Sequence, residues 1–116
     1  MGERVDVFVD AGGTGTNFGI GIKAYFKDNE IFCMSKTIPK DLKVSESNNA
    51  ELYALTVALE QLTNECVNNV AIYIYTDSLH ALVAANGNKF KGCIESIYND
   101  FRKYKDHLIK NNGYVS

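Results

Sequence analysis

The sequence predicts an α/β domain built on a mixed sheet, in which strands one to three form an antiparallel meander and strand four lies parallel beside strand one, with helices packed on it. Three observations predict this. Strand-length apolar segments rich in β-branched and aromatic residues fill the stretch from Arg4 to Ile38, separated only by glycine-rich or polar breaks. Leucines then recur at three- and four-residue intervals from Leu52 to Leu62, the period of a helix. A further strand-like run, Val70 to Thr76, follows that helix, so a β-α crossover returns the chain to the sheet beside its first strand.

Taken in order, strand one reads as Arg4 to Asp10, strand two as Phe18 to Phe26 and strand three as Ile31 to Ile38, with Asp28-Asn29-Glu30 as the tight turn between the last two. Gly12, Gly13, Gly15, Gly19 and Gly21 crowd the first turn and the start of strand two. There they permit positive φ or the close approach of a bulky group. Pro39 ends strand three, and the polar loop Lys40 to Asn48 leads into the first helix. Asn48 is the expected N-cap, with Glu51 three positions on at capping-box spacing, and Leu52, Leu55, Leu59 and Leu62 supply one buried face. After the fourth strand a short helix starts at Ser78 and stops at Asn86-Gly87. A longer helix then runs through Ile94, Ile97, Phe101, Tyr104 and Leu108, with Gly113 as its cap and a strand expected to begin at Tyr114.

With 116 residues, 46% of them hydrophobic, the chain fits one compact domain that buries a little over half of its unfolded surface. No apolar stretch is long enough to span a membrane, and Met1-Gly2-Glu3-Arg4 lacks the basic head and hydrophobic run of a signal peptide, so a soluble, cytoplasmic protein is expected. Cys33, Cys66 and Cys93 are odd in number and widely spaced, which argues against a disulfide framework or a zinc site and for reduced thiols in or near the core. A net charge of −2 argues against a simple basic nucleic-acid binder, but its distribution is uneven. From Val44 to Asn88 there is no Lys or Arg, whereas Lys89 to Ser116 carries six basic residues against Glu95, Asp100 and Asp106. An acidic centre beside a basic flank would suit a site that gathers a divalent cation and then holds a polyanion, although charge alone is better explained by ordinary solvated faces.

Asp10, Glu51 and Asp77 are the candidate carboxylates of that centre. In the predicted topology Asp10 and Asp77 leave the carboxyl ends of neighbouring parallel strands, where open α/β sheets place their ligands. Singly, each has a structural explanation: a strand-end turn residue, a first-turn acid favoured by the helix dipole, and a helix N-cap. Three carboxylates brought together repel unless a cation joins them, and an all-oxygen set suits Mg²⁺, with Mn²⁺ as substitute, better than zinc. Two such ions can activate a water and stabilise a leaving oxygen at a phosphodiester.

The segments Val7-Phe8-Val9-Asp10-Ala11-Gly12, Gly19-Ile20-Gly21-Ile22, Ser47-Asn48-Asn49-Ala50-Glu51-Leu52-Tyr53-Ala54-Leu55 and Tyr75-Thr76-Asp77-Ser78 together resemble the ribonuclease H family, in order and across nearly the whole chain. The resemblance implies a metal-dependent endonuclease that cuts the RNA strand of RNA·DNA hybrids. Asp10, Glu51 and Asp77 would be its metal ligands, holding two ions, and Ala11, Gly12, Asn48 and Ser78 would lie against the substrate. It also implies a fourth acidic residue, often preceded by a mobile His, after a fifth strand. Asp100, Asp106 and His107 do not match that position, and Leu79 stands where the family is often polar. The resemblance therefore implies a domain spanning residues 1–116 that lacks the C-terminal strand and helix. A sheet so shortened would expose an edge able to form a homodimer or to pair with a partner chain, which would complete the site in trans or leave a domain that binds without cutting. Finally, Asp10-Ala11-Gly12-Gly13-Thr14-Gly15-Thr16-Asn17 resembles the phosphate-binding turn of sugar kinases and actin-like ATPases, a more remote reading that needs a second domain.

Overall fold

The computed structural model describes residues 3–14, 17–65 and 70–112. Its elements are strands β1 (Arg4–Thr14), β2 (Asn17–Phe26) and β3 (Asn29–Thr37), a 3-10 turn at Lys40–Leu42, helix α1 (Ser47–Asn64), strand β4 (Ala71–Tyr75), and helices α2 (Leu79–Ala85) and α3 (Glu95–Asn112). The sheet order is β3-β2-β1-β4, with β1 antiparallel to β2 and parallel to β4, as expected from the crossover. The expected cap at Gly113, the strand from Tyr114 and the thiol of Cys66 lie outside the described residues.

Alternation along the strands separates two faces. Val5, Val7 and Val9 of β1, Ile22 and Ala24 opposite them on β2, and Ile72 on β4 are all buried. Helix α1 packs against β1 and β2 and carries α2 and α3 on its other side. Sandwiched in this way, it buries Ala50, Ala54, Val57 and Ala58 as well as Leu52, Leu55, Leu59 and Leu62, so it is apolar on far more than the single face its leucine spacing predicts. α3 is the one-sided helix: Ile97, Phe101 and Leu108 are buried, and Tyr104 reaches Glu60 of α1 with its hydroxyl at 3.3 Å. On the opposite sheet face Phe8 remains 47% exposed, stacked on Tyr75 at 4.7 Å and meeting Tyr25 edge-on at 5.9 Å. Cys93 is half-buried and packs against the core, as expected of a near-core thiol, whereas Cys33 is exposed.

Three local predictions are corrected. Strand β1 does not end at Asp10. It continues through Thr14, because Ala11 to Thr14 complete a ladder with Asn17 to Ile20 of β2 and so satisfy their backbone polar groups. Gly13 is required in that hairpin: its φ is +148°, and a Cβ there would lie 2.0 Å from the Asn17 carbonyl oxygen. The second reversal is made by Lys27 and Asp28, with φ of 52° and 64°, not by Asp28 to Glu30, because Asn29 already pairs with Phe26. Positive φ at both central residues of a two-residue hairpin matches the right-handed strand twist. At the start of α1 the N-cap is Glu46, which makes no side-chain cap, so Asn48 sits inside the first helical turn.

Candidate metal centre

The parallel ladder between β1 and β4 runs from Arg4 beside Ala71 to Phe8 beside Tyr75 and stops there. Asp10 and Asp77 each lie two residues beyond that last pair, where the two strands cease to bond and a third element can enter. Glu51 enters from α1, the helix packed across β1 and β2. Ligand atoms from Asp10, Glu51 and Asp77 all lie within 4.8 Å of one another. The structure thus brings all three predicted carboxylates together, through β1, α1 and the β4–α2 turn.

Their surroundings differ. Asp10 and Asp77 are exposed, whereas Glu51 is only 7% exposed. Burial, followed by the charges of Asp77 and Asp10, pushes the Glu51 carboxyl up to about 7, against the opposing hydrogen bonds from the Ala11 amide and the Thr76 hydroxyl. The Ala11 N–H is shared between two carboxylates, donating to Asp10 Oδ1 at 2.9 Å and to Glu51 Oε1 at 3.2 Å. Thr76 Oγ1 accepts from the Ser78 N–H at 3.1 Å and lies 3.5 Å from Glu51 Oε2, so its proton is free to point at the carboxylate. An all-carboxylate set in which burial drives one member toward neutrality fits a hard divalent cation, whose charge relieves both the burial cost and the mutual repulsion.

Asp77 keeps its carboxylate for the cluster because Ser78, not Asp77, caps α2, accepting from the Ala81 N–H at 3.1 Å. Of the other predicted contact residues, Ala11 is half-buried between two carboxylates, Gly12 follows it as an exposed position on the hairpin, and Asn48 is half-buried one turn before Glu51. Asp100 and Asp106 are exposed on α3 and outside the cluster.

Two contributors escaped the sequence reading: the shared Ala11 amide and the Thr76 hydroxyl. Thr76 had a signal, since a hydroxyl two residues before an N-cap Ser can accept that residue's N–H in a short side-chain turn. The Ala11 amide depends on a contact 40 residues away in sequence, which no local pattern encodes. Among the described residues no helix is long and apolar enough to cross a membrane.

The sequence matches no protein-family model and no curated protein. Solved structures do match it. LC11-RNase H1, isolated from compost by a metagenomic approach, aligns over 97% of this chain and 82% of its own with 21% identity and a TM-score of 0.76. RNase H1 of the halophilic archaeon Halobacterium salinarum aligns over 97% and 82% with 16% identity and a TM-score of 0.67. A complex of LC11-RNase H1 with an RNA/DNA hybrid aligns over 96% and 80% with 20% identity and a TM-score of 0.72.

Proposed function

We propose that this chain, whose fold is ribonuclease H-like, is a divalent-metal-dependent endonuclease that hydrolyses the RNA strand of RNA·DNA hybrids. The observation that carries the reading is the convergence of Asp10, Glu51 and Asp77 within 4.8 Å at the end of the parallel strand pair. The fold it shares with LC11-RNase H1, a protein solved in complex with an RNA/DNA hybrid, supports the choice of substrate.

In this reading Asp10, Glu51 and Asp77 would together hold two Mg²⁺ ions. When bound, the metal supplies an activated water and neutralises charge at the leaving oxygen. The chain's own groups hold the ligands in place: the Ala11 amide fixes Asp10 and Glu51 to each other, and Thr76 ties Glu51 to the turn that carries Asp77. Ala11, Gly12, Asn48 and Ser78 flank the centre as substrate contacts. Preference for RNA then comes from contacts to 2′-hydroxyls across the wide minor groove and not from base reading.

One observation favours a second reading, a domain that binds hybrid but cuts it weakly. Among the described residues the cluster holds these three acids and no fourth. Incubation of labelled hybrid, duplex RNA and duplex DNA with the protein in Mg²⁺ or Mn²⁺ separates the two. Cleavage of the RNA strand in the hybrid alone supports the nuclease. Hybrid binding without cleavage in either metal supports the second reading.

A further inference from the structure

Asn49 is 3% exposed, in a position where a polar side chain must find partners. It finds both on one distant segment: Nδ2 donates to the Gly92 carbonyl at 3.0 Å, and Oδ1 accepts from the Ile94 N–H at 2.8 Å. Rotating the amide would set N–H against N–H and oxygen against oxygen, so the two backbone groups fix its orientation. Gly92, at φ +82°, rests on the same end of α1, since a Cβ there would lie 3.6 Å from Glu46 Oε1.

The first turn of α1 needs such a hold. Its first intrahelical bond runs from the Ala50 N–H to the Glu46 carbonyl at 3.2 Å, which leaves the three preceding N–H groups without a helical partner. Glu46 provides no side-chain cap, and the turn contains no acid to complement the helix dipole. Successive helical residues point about 100° apart, so the half-buried Asn48 does not share the inward direction of Asn49, and at three residues before Glu51 it lies on the helix face that carries that carboxylate.

We propose that Asn49 is a positioning residue: by clamping the first turn of α1 to the segment before α3, it fixes Asn48 against the substrate. The proposal rests on the nuclease reading of the site. It predicts that Asn49 acts through Asn48 and not through the metal ligands.

The test is the hybrid-cleavage kinetics of the wild type, Asn49→Ala, Asn48→Ala and the double variant, measured well below each protein's melting temperature. Asn49→Ala is expected to raise KM about fivefold or more with kcat changed less than about twofold, and the double variant to be no worse than the more damaged single, the mark of two residues acting as one unit. Asn49→Asp, which keeps the acceptor for Ile94 but loses the donor to Gly92, is expected to fall between. A lowered melting temperature with unchanged KM would reduce Asn49 to a structural residue and overturn the proposal, as would additive effects of the two substitutions. A wild type that neither binds nor cuts hybrid overturns the nuclease reading itself, an outcome distinct from either.

Discussion

Replacing Glu51 by Gln keeps the shape of the buried side chain and an oxygen for the Ala11 amide, but removes the charge that burial and two carboxylate neighbours oppose. The expected consequence is a more stable, inactive protein in the absence of metal. Lifting the carboxyl from its ordinary 4.5 to about 7 corresponds to about 3 kcal/mol at 1.36 kcal/mol per pH unit. Salt screening of the exposed Asp10 and Asp77 makes about 1.5–3 kcal/mol the working range. Below pH 4.5 Glu51 is protonated in both folded and unfolded chains, so it has no effect on stability. Between 4.5 and about 7 the unfolded chain gives up the proton while the folded chain retains it, and stability falls as pH rises. Above about 7 the loss is complete. Thermal unfolding in EDTA from pH 4 to pH 9 should therefore show the two proteins coinciding at pH 4 and Glu51→Gln melting roughly 5–10 °C higher at pH 8. Adding millimolar Mg²⁺ should stabilise the wild type and narrow that gap, since a ligand bound only by the folded state raises its stability. If Glu51→Gln melts at or below the wild type at pH 8 in EDTA, the buried charge does not destabilise the metal-free fold.

Other expected outcomes test the scaffold around the site. Leu59→Ala, in the fully buried middle of α1, should cost about 2–5 kcal/mol in urea unfolding, with activity per folded molecule retained. Ser78→Ala removes the α2 cap, which should cost about 1 kcal/mol and weaken Mn²⁺ binding measured by calorimetry, because the same turn carries Asp77. Gly13→Ala should destabilise the protein by at least about 1 kcal/mol, read from the same urea curves, since its Cβ would collide with the Asn17 carbonyl.

What was legible in the sequence tracks how local the cause is. The three carboxylates could be named because each lies on or next to an element whose period shows in the chain, even though β1 runs on past Asp10, α1 starts four residues before Glu51 and β4 stops two residues before Asp77, and the order of elements dictated that Asp10 and Asp77 be neighbours. The length of β1 could not be read, since Ala11-Gly12-Gly13-Thr14 has the composition of a loop and becomes strand only through its pairing with β2. The Lys27–Asp28 turn was missed because a lysine seldom adopts positive φ; the register between β2 and β3 imposes it. The leucine spacing of α1 gave a single face, while the packing of α2 and α3 on its far side, which makes its alanines core residues, is a tertiary fact. The same holds for Asn49, whose partners at Gly92 and Ile94 are 43 and 45 residues away.

These carboxylates are expected to perform Mg²⁺-dependent hydrolysis of RNA paired with DNA. The most direct test compares cleavage of a hybrid end-labelled on the RNA strand by the wild type and by Asp10→Asn, in Mg²⁺, with folding of both confirmed by thermal melting. The expected result is RNA-strand cleavage by the wild type, reduced at least about a hundredfold by Asp10→Asn with the fold intact. Cleavage by Asp10→Asn at the wild-type rate would contradict it.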